Sequence, residues 1–291
     1  MKILVTGAAG QLGQETVLLL KSEGNQVSAI DRNELDFFFP EKVSEGIARE
    51  RADWVINCAA YTQVDRAEQE LEAAFLVNRD SALAVAQGVA SYGGRMLQIS
   101  TDFIFDGSQS TPYEEEARAN PLSVYGQSKW EGENAVLQAM PGAVILRTAW
   151  VYGEYGNNFV KTMLRLAAER EELRVVDDQV GTPSWTYDIA RAIKTLITSD
   201  ASGTYHFSNE GVASWYDFST EIIDIARKLG YPLKTTRVKP IPCCDYPTPA
   251  ARPSYSVLSK RKIRGLLGYD VPHWRKSLKS MLVEGIRRPA N

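Results

Sequence analysis

Ile3-Leu4-Val5-Thr6-Gly7-Ala8-Ala9-Gly10-Gln11-Leu12-Gly13 is the stretch that decides the fold. A short apolar run leads into a glycine-rich turn, and the apolar spacing of residues 14–22 predicts a helix after it. Strand, glycine-rich turn and helix in this order are typical of a dinucleotide-binding unit. Gly7 permits a tight turn, Gly10 lets backbone N–H groups approach a pyrophosphate, and Gly13 lets the helix pack closely on the strand. The alternative is a turn that is rich in glycine without a ligand, which the flanking segments make the weaker interpretation.

Strand-like and helix-like segments alternate along the next 200 residues. Apolar runs predict strands at Ile3–Val5, Val27–Ile30, Trp54–Ile56, Arg95–Ile99, Ala143–Leu146 and Gly203–Phe207. The alternation predicts an α/β protein with a Rossmann-type, doubly wound parallel sheet. We expect a dinucleotide-binding domain from residues 1–150 plus about 185–208. Residues 151–184 plus 209–291 should then form a smaller, mostly helical substrate region.

Three other segments lead to separate expectations. Residues 71–92 have the composition of one long buried helix, in which Asn78 is either solvated or an anchor for a neighbouring loop. Residues 112–121 are polar and acidic, which fits a lid over a substrate or a solvated loop. Residues 239–253 are rich in proline and are expected to be irregular.

Bulk composition excludes several classes of protein. The 291 residues carry a net charge of −3 with no basic run, which argues against a nucleic-acid partner. The sequence contains no run of about 18 apolar residues, which a membrane span would need, so we expect none. The N-terminal apolar run is too short for a signal peptide. Three cysteines and two histidines show no metal-ligand spacing, so we expect no metal site. Adjacent Cys243 and Cys244 favour a reducing compartment, and the protein is expected to be cytoplasmic.

Polar residues follow the predicted strands at the edge where a ligand crevice should lie. Asp31 ends the second strand, where a carboxylate can accept hydrogen bonds from the adenosine ribose of NAD. Arg32 beside it suits the 2′-phosphate of NADP, so the choice of cofactor stays open and both should work. Ser100, Thr101 and Asp102 end the fourth strand and should face the same crevice.

Tyr125 and Lys129 stand four residues apart in Pro121-Leu122-Ser123-Val124-Tyr125-Gly126-Gln127-Ser128-Lys129. In a helix their side chains lie on one face, one turn apart. A phenol beside an ammonium group is a proton donor with a tunable pKa. The pair alone is a weak signal, since a surface aromatic with an extended lysine has the same spacing. Its position after the glycine loop and Thr101 is what favours a catalytic interpretation.

Together these segments resemble the dTDP-4-dehydrorhamnose reductase family of the extended short-chain dehydrogenase/reductases. The family's motifs follow in order along nearly the whole chain: Gly10-Gln11-Leu12-Gly13, Asn57–Thr62 leading to Val64-Asp65, Ser100–Gly107, Val124-Tyr125-Gly126-x-x-Lys129, Arg147–Tyr152, Asp178–Pro183 and Arg252-Pro253-x-x-Ser256-x-Leu258.

The resemblance implies reduction of the 4-keto group of dTDP-4-dehydro-6-deoxy-L-mannose to dTDP-L-rhamnose, with NADPH or NADH as hydride source. Tyr125 would donate the proton, Lys129 would lower the pKa of the phenol and hold the nicotinamide ribose, and Thr101 would hydrogen-bond the ketone oxygen. The glycine loop and the resemblance imply cofactor contacts from Gly7, Gly10, Gln11, Leu12, Gly13, Asp31, Arg32, Asp36, Phe37, Ala59, Ala60, Tyr61, Thr62, Tyr125 and Lys129. The implied substrate contacts are Val64, Thr101, Asp102, Trp150, Asn158 and Arg252.

The chain departs from the family pattern at two places. Tyr255 stands where the family often has Asn, which puts sugar-nucleotide contacts there in doubt. Some members dimerise through acidic residues and magnesium. Glu15 matches one such position, whereas Tyr187 stands where a second acid is expected. The resemblance therefore leaves a homodimer open and argues against the metal.

Two other functions share this resemblance. One is a nucleotide-sugar epimerase or dehydratase of the same superfamily; a dehydratase carries an acid pair after the catalytic Thr, whereas Phe103 follows Asp102 here. The other is a non-catalytic dinucleotide-binding subunit, such as the regulatory subunit of methionine adenosyltransferase. The presence of Thr101, Tyr125 and Lys129 favours an enzyme over that subunit.

Overall fold

The computed structural model describes residues 1–287, and the side chains of residues 1–284. The strands are β1 (Lys2–Thr6), β2 (Gln26–Ile30), β3 (Trp54–Asn57), β4 (Arg95–Thr101), β5 (Val144–Thr148), β6 (Val151–Tyr152), β7 (Glu172–Val176), β8 (Val180–Gly181), β9 (Ser184–Trp185), β10 (Gly203–His206), β11 (Ala213–Ser214) and β12 (Arg237–Ile241). The α-helices are α1 (Gln11–Ser22), α2 (Pro40–Glu50), α3 (Val64–Ala67), α4 (Leu71–Phe75), α5 (Ser81–Ala90), α6 (Val124–Ala139), α7 (Phe159–Glu169), α8 (Thr186–Thr198), α9 (Trp215–Lys228), α10 (Arg261–Leu267) and α11 (Trp274–Arg287).

Six of these strands form one parallel sheet in the order β10-β5-β4-β3-β1-β2. The chain passes from β1 to β2 on one side and returns to β3 on the other side of β1. A reversal of this kind opens a crevice beyond the carboxyl ends of the two central strands. The predicted Rossmann-type sheet is confirmed, and the crevice lies beside Gly7 and Ala59.

Apolar side chains cover both faces of the sheet, as a parallel sheet requires. On one face α1 and α8 pack through residues such as Leu20 and Ile193. On the other face α2 and α5 pack through Ile47 and Val85. Each of these four side chains is fully buried, which contributes about 1.5–3 kcal/mol per side chain. Two covered faces hold the strand ends, and therefore the crevice, in fixed positions.

The C-terminal elements build a third apolar cluster around Tyr152, Trp185, Phe218 and Trp274. Residues 261–271 nevertheless pack into the core that contains β1 and α8. The division into a dinucleotide-binding and a substrate domain stays a prediction. Among residues 1–287, no helix combines the length and the apolarity that crossing a bilayer requires.

The expectation that residues 239–253 are irregular is wrong at its start, because residues 239–241 belong to β12. This strand pairs in parallel with β7, and the sequence pattern predicted neither strand. Pro240 is tolerated because the two strands form a sheet of their own, in which an edge position needs no N–H donor.

Residues 71–92 do not form one regular α-helix. A π-helical turn at Leu76–Asp80 separates α4 from α5. Asn78 lies in this turn, is only 2% exposed, and exchanges hydrogen bonds with the backbone of Tyr61 at 2.9 and 3.1 Å. Its amide also donates to the Ser128 hydroxyl on α6 at 3.0 Å. Asn78 is therefore the loop anchor of the two alternatives, and π turns are frequent at functional sites.

Candidate active site

The glycine turn after β1 forms a cradle that only glycines fit. Gly7 has φ +63°, and a Cβ on it would lie 2.6 Å from the backbone nitrogen of Ala59. A Cβ on Gly13 would lie 2.2 Å from the Gly7 carbonyl oxygen. Gly10 precedes α1 without a side-chain cap, so the first N–H groups of the helix point toward the turn. Free amides at a helix N-terminus and room for a close approach fit the pyrophosphate of a dinucleotide.

Two predicted cofactor residues in this turn have other contacts as well. Leu12 is buried in the core, so only its backbone faces the crevice. Gln11 donates to the Val151 carbonyl at 3.4 Å and accepts from Asn158 at 3.5 Å. Gln11 thus joins the cradle to the C-terminal elements.

The end of β2 carries the acidic and basic residues expected near the adenosine. The Asp31 carboxylate accepts from the backbone N–H of Asn33 at 2.7 Å, whereas the Arg32 side chain is exposed. Asp36 accepts from the backbone of Phe38 at 2.9 Å, and Phe37 is buried beside α2. Arg32 is therefore an exposed cation just after β2.

The loop after β3 is held in place by buried amides. The Asn57 side chain accepts from the Thr6 hydroxyl at 2.6 Å and donates to Gln98 at 2.7 Å, which ties β1, β3 and β4 together. The same oxygen accepts from the N–H of Ala59 at 3.2 Å. Asn78 holds Tyr61, as described above. These bonds fix the backbone of Ala59 and Tyr61 in the loop after β3, and the cofactor contacts of Ala59, Ala60, Tyr61 and Thr62 stay a prediction.

Thr101, Asp102 and Tyr125 come together where β4 meets the first turn of α6. The Thr101 hydroxyl donates to the Asp102 carboxylate at 3.1 Å and accepts from the Phe103 N–H at 3.2 Å. Tyr125 lies edge-on to Phe103 with ring centroids 5.6 Å apart. Ser123 caps α6 by accepting from Gly126, and a Cβ on Gly126 would meet the Phe103 carbonyl at 2.2 Å. The close packing of α6 on the end of β4 is what brings Tyr125 to Thr101.

Electrostatics keep the phenol protonated. Burial raises the pKa of Tyr125 to about 12, the Thr101 hydroxyl opposes that rise, and the Asp102 carboxylate adds to it. A phenol with this pKa holds its proton at neutral pH, as a proton donor to an alkoxide must.

Lys129 lies one turn after Tyr125 and is 4% exposed. Its ammonium group donates to the Ile99 carbonyl at 2.7 Å. Burial lowers the pKa of Lys129 to about 8, while the Glu133 carboxylate and Cys58 raise it. Burial raises the pKa of the Cys58 thiol to about 12, which agrees with a structural cysteine and not a nucleophile.

Asp102 is a buried carboxyl at the floor of the site, 2% exposed. Burial raises its pKa to about 6, although Ser256 and Thr101 stabilise the carboxylate. The charged form therefore destabilises the fold increasingly as pH rises from 3.8 through 6. We expect Asp102→Asn to stabilise the protein by up to about 3 kcal/mol at pH 8 and by less than about 1 kcal/mol at pH 4, measured by urea unfolding.

Asp106→Asn is the control of opposite sign for this prediction. Hydrogen bonds from Asn120, Ser108 and Tyr113 hold the pKa of the Asp106 carboxyl well below its usual range. Its charged form stabilises the fold above the unfolded pKa, so the substitution should destabilise at pH 8. Equal effects of Asp102→Asn at both pH values would contradict the assigned cause.

The residues predicted to touch substrate lie in three places. Trp150 has φ +46°, a strained value for a bulky residue, and stacks on Trp215 with centroids 3.5 Å apart. Asn158 caps α7 by accepting from Lys161 and donates to the Gly153 carbonyl at 2.8 Å. Val64 begins α3, and the next residue, Asp65, binds Arg252.

Arg252 forms a two-pronged ion pair with Asp65, with N···O distances of 3.0 and 2.8 Å. This contact lowers the pKa of the Asp65 carboxyl. It also joins the proline-rich C-terminal segment to α3. A diphosphate at Arg252 would share the guanidinium with Asp65.

Comparison with known proteins agrees with this architecture. A family model described as "RmlD substrate binding domain" matches residues 1–286. The chain belongs to this RmlD family. A dTDP-4-dehydrorhamnose reductase of Aggregatibacter actinomycetemcomitans is 42% identical, and the match covers 96% of this chain and 98% of the relative. The crystal structure of a dTDP-4-dehydrorhamnose reductase from Clostridium acetobutylicum superposes with a TM-score of 0.91 at 40% identity, over 99% of this chain and 100% of that one.

A second solved structure bears on the cofactor. The dTDP-4-dehydrorhamnose reductase of Bacillus anthracis in complex with NADP has a TM-score of 0.92 at 37% identity, over 97% of this chain and 99% of that one. That this RmlD-family relative holds NADP agrees with the glycine cradle described above.

Sequence reasoning missed several residues that hold this RmlD-family site together. Glu68 accepts from the N–H of Val124 at 2.8 Å and so fixes the start of α6. Asn57 and Gln98 form the amide bridge across three strands. Glu68 is 56 residues from its partner, so only the fold reveals it. Asn57 directly follows the predicted strand Trp54–Ile56, and a polar residue at the end of a buried strand signals a buried amide with a partner.

Proposed function

We propose that the protein is an NAD(P)H-dependent reductase that converts the 4-keto group of dTDP-4-dehydro-6-deoxy-L-mannose into the alcohol of dTDP-L-rhamnose. The observation that carries the proposal is the hydrogen bond between Tyr125 and Thr101, with Lys129 one turn further along α6, in a fold whose glycine turn fits a dinucleotide. The family relationship supports the same reaction.

Each residue has a separate task in this mechanism. The bound nicotinamide supplies the hydride that reduces the ketone carbon. Thr101 turns its hydroxyl proton from Asp102 to the ketone oxygen and stabilises negative charge as it develops there. Tyr125 transfers its proton to that oxygen, which leaves the alcohol and a transient phenolate. Lys129 holds the nicotinamide ribose. The groups that shift the pKa of Tyr125 are its burial, Thr101 and Asp102, so the expected lowering of that pKa by Lys129 does not appear.

The remaining predicted residues are proposed as substrate contacts. Asp102, at the floor of the site, accepts hydrogen bonds from sugar hydroxyls. Trp150 and Val64 contact the sugar. Arg252 binds the diphosphate and keeps one of its two hydrogen bonds to Asp65. Asn158 acts by holding Gln11 and the start of α7 in place.

The direct test is to supply dTDP-4-dehydro-6-deoxy-L-mannose with NADPH or NADH and follow the loss of absorbance at the reduced nicotinamide band. We expect oxidation of one cofactor per sugar and a product that co-elutes with dTDP-L-rhamnose. dTDP-glucose, which has no keto group, is the negative control. No oxidation, together with intact NADPH binding, would contradict the reductase and favour a regulatory subunit.

Arg32→Ala is expected to separate the two cofactors. Arg32 is the exposed cation beside Asp31, where a guanidinium can bind a 2′-phosphate. Loss of one charge-assisted contact should raise KM for NADPH about 10-fold and leave KM for NADH unchanged. Equal changes for both cofactors would place the 2′-phosphate away from Arg32. Steady-state rates with each cofactor are the measurement.

We further propose that the protein works as a homodimer. Leu18 on α1 and Tyr187 on α8 are 50% and 37% exposed on neighbouring helices, which supports an apolar contact there. Light scattering coupled to size exclusion should give twice the 32.3 kDa chain mass. A monomer mass at micromolar concentration would contradict the dimer.

A cytoplasmic location is proposed on the state of the cysteines. Cys58, Cys243 and Cys244 are free, and the last two are exposed. Exposed free thiols persist in reducing compartments. Cell fractionation with an antibody against the chain tests this location.

A further inference from the structure

A buried row of charges extends from Lys129 into the interior behind the crevice. Glu133 follows Lys129 by one turn on the same face of α6, and the two side chains are 3% and 4% exposed. Arg147, at 7% exposure, comes from the end of β5. Burying a charge this deeply lowers the stability of the fold unless the charge has a partner, so each of these groups should have one.

Arg147 holds the Glu133 carboxylate by two prongs. Its Nε lies 3.0 and 3.1 Å from the two carboxylate oxygens, and its Nη2 lies 2.7 Å from one of them. Both oxygens are therefore engaged, and the carboxylate is fixed in rotation as well as in charge.

The far end of Arg147 is held by neutral acceptors. Its Nη1 donates to the Glu115 carbonyl at 2.9 Å and faces His206 Nε2 at 3.2 Å. An always charged guanidinium requires Nε2 to be an acceptor, so the proton lies on Nδ1, which faces the Tyr113 carbonyl at 3.1 Å. Burial and the Arg147 charge lower the pKa of His206 to about 3, in agreement with a neutral ring.

The 112–121 segment is thereby fixed in place. Tyr113 donates its N–H to Val257 at 2.8 Å and accepts from Ser259 at 2.8 Å, and its side chain is 1% exposed. Arg147 and these backbone bonds hold the segment against the buried charges of Arg147 and Glu133. Glu133 therefore lies between Arg147, with which it forms an ion pair, and Lys129, one turn earlier on α6.

We propose that Glu133, clamped by Arg147, is a positioning residue that keeps Lys129 an ammonium ion at the cofactor crevice. This inference rests on the proposed reductase function, in which Lys129 must be charged. The charged and titratable groups that face Lys129 are Cys58 from the end of β3 and Tyr125 and Glu133 from α6, with Arg147 behind Glu133. Glu133 is the carboxylate among them, so it is the group whose negative charge favours the ammonium form of Lys129, and Arg147 fixes where that charge lies.

A direct titration of Lys129 tests this role without any sugar substrate. Lysine labelled with 13C at Cε reports its protonation by chemical shift, and Lys129→Met identifies the resonance by its loss. We expect the titration midpoint of Lys129 to fall by about 1 unit or more in Glu133→Gln, since a neighbouring opposite charge shifts a pKa on that scale. Glu133→Asp, which keeps the charge, should restore most of the midpoint.

Glu131→Gln is the matched control on the same helix. Glu131 pairs with Arg79 at 3.2 Å in a half-exposed site, so its loss should leave the Lys129 midpoint unchanged. If Glu133→Gln fails to fold with an unpaired Arg147, Glu133→Gln/Arg147→Met removes both charges. The midpoint should still fall in that variant, because the nearer charge is lost.

Enzyme turnover supplies the second readout. The alkaline limb of the pH–rate profile should move to lower pH together with the titration midpoint, and turnover at pH 8 should drop about 5-fold for a fall of one unit. A purely structural ion pair would lower stability without moving either midpoint. An unchanged Lys129 midpoint in Glu133→Gln would overturn the proposal. Failure of the proposed reaction would instead leave the wild-type protein without turnover and the titration readable.

Discussion

Tyr125→Phe should lose between about 100-fold and 10,000-fold in turnover and still bind NADPH, because only the transferable proton is removed. The phenyl ring keeps the edge-on contact with Phe103 and the packing of the first turn of α6. The pKa of about 12 assigned to the phenol means that the wild-type donor stays protonated throughout the physiological range. Stopped-flow or steady-state oxidation of NADPH with the keto sugar measures the loss.

Two measurements distinguish loss of the transferable proton from loss of cofactor binding or of a hydroxyl elsewhere. Fluorescence titration with NADPH should give affinities for Tyr125→Phe and wild type that agree within a few-fold. Tyr246→Phe removes a hydroxyl from a side chain that is 62% exposed, and it should behave like wild type. Turnover of Tyr125→Phe near the wild-type rate would assign the proton to another group, of which Asp102 is the nearest buried acid.

The features that could be predicted from the sequence are those set by neighbouring residues. The close approach of Gly13 to the Gly7 carbonyl is local, because both residues belong to the same glycine-rich turn. The four-residue spacing of Tyr125 and Lys129 is likewise fixed once residues 124–139 form a helix. Strand-end residues such as Thr101 follow from the parallel sheet, because all strand ends meet at one edge.

Features that depend on partners distant in sequence could not be predicted. Arg252 suits a phosphate by its chemistry, but its ion pair with Asp65 joins residues 187 positions apart. His206 has no acid or base nearby in sequence, yet it lies against Arg147, which β5 brings beside it. β12 was hidden because Pro240 weakens a strand pattern, and only the pairing with β7 makes the proline acceptable.

Gly13→Ala is the second change expected to have a large effect, because it should lower both the stability of the fold and the affinity for the cofactor. The new Cβ would lie 2.2 Å from the Gly7 carbonyl oxygen and 2.9 Å from the Ala8 Cα. Both obstacles are backbone atoms, so α1 must move away from β1. We expect a loss of about 3 kcal/mol or more in the free energy of unfolding, at the upper end of overpacked cores.

Cofactor binding should also weaken in this variant. Displacing α1 moves the amides of its first turn away from the pyrophosphate, and geometry sets the strength of such contacts. NADPH affinity should therefore fall about 100-fold, which corresponds to roughly 2.7 kcal/mol of binding free energy. Gly265→Ala is the matched control, since it also replaces a helical glycine but its Cβ meets nothing within 4 Å. That control should gain about 0.5–1 kcal/mol from helix propensity and leave NADPH binding unchanged. If Gly13→Ala bound NADPH as the wild type does, the phosphates would have to lie elsewhere, because an intact site cannot accommodate the added methyl group.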